Sequence, residues 1–67
     1  MKVKFNKQVT VDFHDARSSE IVDKTFYRNE VVEVGSTEHN TRNFDNLHFL
    51  NGDLAIDVPS SAFAVIG

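Results

Sequence analysis

From Lys2 to Phe13 the side chains take turns. Val3, Phe5, Val9, Val11 and Phe13 hold the odd positions, while Lys2, Lys4, Asn6, Gln8, Thr10 and Asp12 hold the even ones. That period of two belongs to a half-buried strand. Lys7 is the one charge on the apolar side, so Asn6-Lys7-Gln8 predicts a bend or bulge in one long strand, in preference to a turn between two short ones. His14 to Glu20 is polar and reads as a loop. Ile21 to Tyr27 is ambiguous. Ile21, Val22 and Phe26 could line a short helix capped by Ser18 or Ser19, whereas Thr25, Phe26 and Tyr27 favour strand; the expected form is an extended, loop-like arm.

Val31, Val32 and Val34 predict a compact strand, entered through Arg28-Asn29 and ended by Gly35. Residues 35–43 hold no aliphatic or aromatic side chain and are expected to form a surface loop. Leu47, Phe49 and Leu50 then approach Asn51-Gly52, and Leu54, Ile56 and Val58 leave it at alternate positions. This predicts a hairpin closed by a two-residue type I′ turn, whose central residues both need positive φ. Pro59 is expected to break the ladder, Ser60-Ser61 to make a tight turn, and Ala62 to Ile66 to form a last strand. The fold class that follows is all-β, a single domain over residues 1–67. About five short strands leave the fewest open edges when rolled into a small, partly closed barrel with a long polar first loop and one turn after Pro59.

A chain of 67 residues has room for one core. It contains no cysteine, so neither a disulfide framework nor a thiolate zinc site can supplement that core. No run reaches the length of a membrane-spanning helix and the N-terminus lacks the apolar stretch of a signal peptide, so a soluble, cytoplasmic protein is expected. The net charge of −3 argues against non-specific nucleic-acid binding, although Lys2, Lys4 and Lys7 sit together without an acid among them.

The strand order resembles the Src-homology-3-like barrel. Phe26-Tyr27-Arg28-Asn29-Glu30-Val31-Val32-Glu33-Val34 is similar to the family's aromatic, turn, acidic and aliphatic run that closes its long first loop. Asp57 to Ile66 is similar to its final strand, Pro-Ser turn and closing strand. Members that bind proline-rich peptides carry a paired tyrosine motif on the first strand, a tryptophan starting the third and a tyrosine soon after the late proline. Here Val11-Asp12-Phe13-His14 stands at the first place, no tryptophan exists, and Ala62 stands at the last, so most of the aromatic groove that polyproline requires is missing. Met1 to Phe5, Glu30 to Val34 and Gly52 to Ala55 also resemble, in layout, small accessory proteins encoded by bacteriophages. That resemblance implies a location in the host cytoplasm.

The candidate chemistry is sparse. His14, His39 and His48 lack the short paired spacings of a metal site. Ser18, Ser19, Ser60 and Ser61 lie in turns with no nucleophile-elbow sequence, and Asp12, Asp15, Asp45, Asp53 and Asp57 read as solvated carboxylates. Gly35, Gly52 and Gly67 are isolated and form no phosphate cradle. No enzyme activity, cofactor or metal is therefore expected. What is left is a set of surface candidates for binding a protein partner: Tyr27, Arg42, Phe44 and Phe63. The loops His14 to Glu20 and Gly35 to Asn43 are expected to share one end and rim that patch. The expected function is a non-enzymatic protein-interaction or assembly module. The alternatives are a nucleic-acid or ribosome-associated barrel using Lys2, Lys4 and Lys7, and a degenerate peptide-binding Src-homology-3-like domain.

Overall fold

In the computed structural model, which describes residues 1–67, the alternating N-terminal stretch forms two strands, β1 (Lys2–Phe5) and β2 (Val9–His14), in different sheets. The bend expected within one strand is a full change of sheet. Lys7 cannot stay on an apolar face, and the chain leaves at Asn6, whose backbone N–H donates to Ala62 O at 2.8 Å and whose side-chain amide donates to Ser61 O at 2.9 Å.

The remaining elements are β3 (Ile21–Phe26), β4 (Val31–Glu33), β5 (Ser36–Thr41), β6 (Phe44–His48), β7 (Leu54–Pro59), a 3-10 turn over Ser60–Ala62 and β8 (Phe63–Val65). They make two antiparallel sheets, a smaller one ordered β4-β1-β8 and a larger one ordered β3-β2-β7-β6-β5. The fold is all-β with eight strands instead of the expected five, and the sheets do not close into a barrel. No helix is long and apolar enough to cross a membrane.

Two strands lie where sequence periodicity is silent. The expected arm at 21–27 is β3, zipped along β2 from Val9↔Phe26 to His14↔Ile21, with the Thr10 and Thr25 hydroxyls bonded at 2.9 Å. The expected loop at 35–43 is β5, paired to β6 from Ser36↔His48 to Thr41↔Phe44, with only Arg42 and Asn43 left as its turn. Both are edge strands with a single neighbour, so little of either surface is buried and no apolar alternation is required of them.

The β6–β7 connection differs from a type I′ turn. Phe49 N–H donates to Asp53 O and Gly52 N–H donates to Phe49 O, leaving Leu50, Asn51 and Gly52 as a three-residue loop. Gly52 has φ +94° while Asn51 is not among the positive-φ residues, which fits a type I turn followed by a glycine bulge. The face of β7 is also reassigned. Ala55 and Val58 are the buried pair, and Leu54 and Ile56 point to the opposite face. The shift in parity falls at Asp57, which takes φ +56° opposite an irregularity between Asp45 and Leu47 and donates its N–H to the Asn46 side chain. Pro59 ends β7 opposite Phe44 and does not break the ladder before it.

Between the sheets lies one core: Val3, Phe5, Val11, Phe26, Val34, Leu47, Ala55 and Val58. The Phe5 and Phe26 rings stack at 4.6 Å between centroids and join the smaller sheet to the larger. Phe49 continues the stack at 6.4 Å from Phe26 and meets Phe13 edge-on at 5.7 Å. The Lys24 ammonium closes the open side, 6.0 Å from the Phe13 centroid and 5.8 Å from that of Phe26.

Candidate interaction surface

Strand register sorts the connecting segments into two ends. At one end, Asn6–Gln8, Tyr27–Glu30, Arg42–Asn43 and the 3-10 turn Ser60–Ala62 are joined by backbone hydrogen bonds. Asn29 N–H donates to Phe5 O at 2.7 Å, Asn6 N–H to Ala62 O at 2.8 Å, and Ser60 N–H to Asn43 O at 2.9 Å. Asn29 reaches its place with φ +70°, a conformation asparagine tolerates. Its turn is closed by Glu30, whose N–H donates to Tyr27 O and whose carboxylate accepts from Tyr27 N–H at 2.9 Å.

All four candidate residues lie at this end. Tyr27 follows β3 and is 59% exposed; Arg42 is exposed in the β5–β6 turn; Phe44, 39% exposed, opens β6. Phe63 is half-buried, its ring 6.1 Å from that of Phe5, so it belongs mostly to the core edge. Tyr27 and Phe44 flank β2 and β7 on strands three apart, roughly 14 Å at the usual strand spacing of about 4.8 Å.

The expected rim is not formed as envisaged. His14 to Glu20 packs at the opposite end against the β6–β7 turn, where Ala16 N–H donates to the Asp53 carboxylate at 3.0 Å. Residues 35–43 begin at that same end, where Gly35 N–H donates to His48 O, and finish at the other with Arg42. The two segments therefore flank different ends at their tips.

Charge follows the same division. The connections of the aromatic end carry Lys7, Arg28 and Arg42 against Glu30; those of the opposite end carry Arg17 against Asp15, Glu20 and Asp53. Lys7 and Arg28 join the site only through the register of the strands. Lys2 and Lys4 project from β1 on the outer side of the smaller sheet, where Lys2 stands opposite Glu33, whose carboxylate the Met1 amino group holds at 2.9 Å.

The other polar groups are engaged locally. A shallow cleft of about 400 Å³ lies between Asp15, Ala16, Arg17, Asn51 and Asp53. Within it the Asp53 carboxyl is held below its ordinary pKa, chiefly by the Ala16 N–H. His39 Nδ1 meets Asp45 at 2.9 Å and His48 Nε2 meets Glu38 at 2.8 Å, while His14 stands two strands away from His48. No three histidine or carboxylate side chains come together as metal ligands would.

The hydrogen bond from His48, helped by Asn46, lowers the Glu38 pKa from its ordinary 4.5. A depressed carboxylate contributes stability that is present above the unfolded value and lost as pH falls through the folded one. The Glu38 side-chain carbon shift should therefore titrate with a midpoint below 4.5, and His48→Ala should raise it. A midpoint that ignores this substitution would remove the contact.

No family model matches the chain, and neither does any curated protein or solved structure.

Proposed function

We propose that the chain is a non-enzymatic interaction module whose contact surface is the aromatic end built from Asn6–Gln8, Tyr27–Glu30, Arg42–Phe44 and Ser60–Phe63. The observation that carries this reading is the gathering of exposed Tyr27 and Phe44 with Lys7, Arg28 and Arg42 on segments that hydrogen bonds fix to one another. Aromatic and arginine side chains are the usual anchors of protein interfaces, the aromatics because they bury much area at small cost in lost rotamers and arginine because its planar fork makes several hydrogen bonds at once. The charge there favours a partner surface that is acidic. The β2–β3 hairpin in the place of a long first loop, and the 3-10 turn before a closing strand, support a Src-homology-3-like plan left open at its edges. Polyproline recognition has less support, since Val11 and Ala62 are buried and cannot line a groove.

Arg42→Ala with Phe44→Ala should abolish capture of the partner without loss of the cooperative melt. Asp15→Ala with Arg17→Ala, at the opposite end, should leave capture unchanged. Capture that survives the first pair and is lost with the second would reverse the assignment. The nucleic-acid reading rests on Lys2, Lys4 and Lys7, of which only Lys7 reaches this end. It requires an oligonucleotide affinity that falls steeply with salt and is lost in Lys2→Ala with Lys4→Ala.

A further inference from the structure

The larger sheet has one uncovered face. Residues directly opposite across an antiparallel ladder share a face, so Ile21, His14, Leu54, His48 and Ser36 form one row and Asp23, Asp12 and Ile56 a second. The smaller sheet packs on the other face, where Val11, Phe26, Leu47 and Ala55 are buried. The uncovered face thus carries an aliphatic strip, with Ile21 61% exposed and Leu54 and Ile56 half-buried on the central strand β7. Beside that strip Asp12 and Asp23 stand directly opposite one another. A like-charged cross-strand pair is unfavourable within one sheet, and neither aspartate forms a salt bridge in the chain. No lysine or arginine belongs to these two rows.

This face and the aromatic end are complements in both charge and apolar content. We propose that they bind one another between copies, so that the aromatic end of one chain docks on the uncovered sheet face of the next. Arg28 and Arg42 neutralise Asp12 and Asp23, and Tyr27 and Phe44 cover Ile21, Leu54 and Ile56. The contact is heterologous: two different surfaces meet, so association runs head to tail and gives open chains, or rings if the rotation closes. The inference rests on the reading of the aromatic end as a contact surface and adds the second surface and the occupant of both.

Sedimentation of the purified chain over a range of concentrations tests it. At low salt the mass should rise with concentration past that of a dimer, and added salt should return it to the monomer. Arg28→Glu with Arg42→Glu destroys the end alone, and Asp12→Thr with Asp23→Thr strips the face of its charge without giving the reversed end a cation to pair with. Each variant by itself should remain monomeric and melt cooperatively. An equal mixture should form dimers and stop there, because each pair retains one competent end and one competent face. A parent chain that stays monomeric at every concentration and salt overturns the self-docking and leaves the end free to bind another protein. Association that persists undiminished in the Arg28→Glu, Arg42→Glu variant also overturns the self-docking, and the reading of the end on which it rests falls only if that variant keeps full capture of a protein partner.

Discussion

Phe5→Ala is expected to remove from about a third to all of the protein's stability. The Phe5 side chain is fully buried, stacked at 4.6 Å on Phe26 and 6.1 Å from Phe63, while its backbone N–H donates to Glu30 O and its carbonyl accepts from Asn29 N–H. Truncating a buried phenylalanine to alanine costs about 3–5 kcal/mol, the sum of lost transfer energy and the cavity left behind. A domain of this length has a total stability of roughly 3–10 kcal/mol at about 0.05–0.15 kcal/mol per residue. No disulfide offsets the loss. Circular dichroism with a urea titration should show a midpoint far below the parent's, with a folded baseline shortened or absent. Phe63→Ala, at a half-buried ring on the same cluster, should cost clearly less. If the Phe5 variant kept the parent midpoint, the joint between the two sheets would be elsewhere.

The second large effect is expected at the β6–β7 turn. Gly52→Val places a β-branched residue at φ +94°, and its Cβ would lie 3.3 Å from the Cβ of Ala16 on the neighbouring hairpin. Positive φ alone costs an L-residue about 1–2 kcal/mol, more for a β-branched one. Asn51 separates the two turn types. A type I′ turn would need positive φ there too, so Asn51→Ala would carry a similar penalty. In the three-residue loop it loses only the exposed hydrogen bonds between its side chain and Asp53. Thermal melts should therefore rank Gly52→Val far below Asn51→Ala; equal losses would restore the two-residue turn.

Legibility in the sequence tracked burial. Val3, Phe5 and Val11 were readable because each faces the core from a strand whose other face is wet. The hairpin around Gly52 was readable because only glycine takes that φ cheaply. Edge strands β3 and β5 were not, since a strand paired on one side and packed on little can hold any side chain its neighbour tolerates. Its ladder is set by β2 or β6 rather than by its own residues. The parity of β7 is hidden for a different reason: Leu54, Ile56 and Val58 alternate in sequence, but the irregularity at Asp57 turns Val58 inward and leaves the other two on the opposite face. At the candidate site, Tyr27, Arg42, Phe44 and Phe63 could be singled out one by one as aromatics and a cation outside clear strand faces. Their common end, and the inclusion of Lys7 and Arg28 with them, depend on which strand pairs with which. That is long-range information that no local window contains.

The contact surface is tested most directly by amide chemical-shift mapping of the labelled chain as the captured protein partner is titrated in. The largest changes should fall at Asn6–Gln8, Tyr27–Glu30, Thr41–Phe44 and Ser60–Phe63, with residues 15–20 and 50–53 undisturbed. Changes confined to residues 15–20 and 50–53, or to the Lys2 and Lys4 side of the smaller sheet, would contradict it.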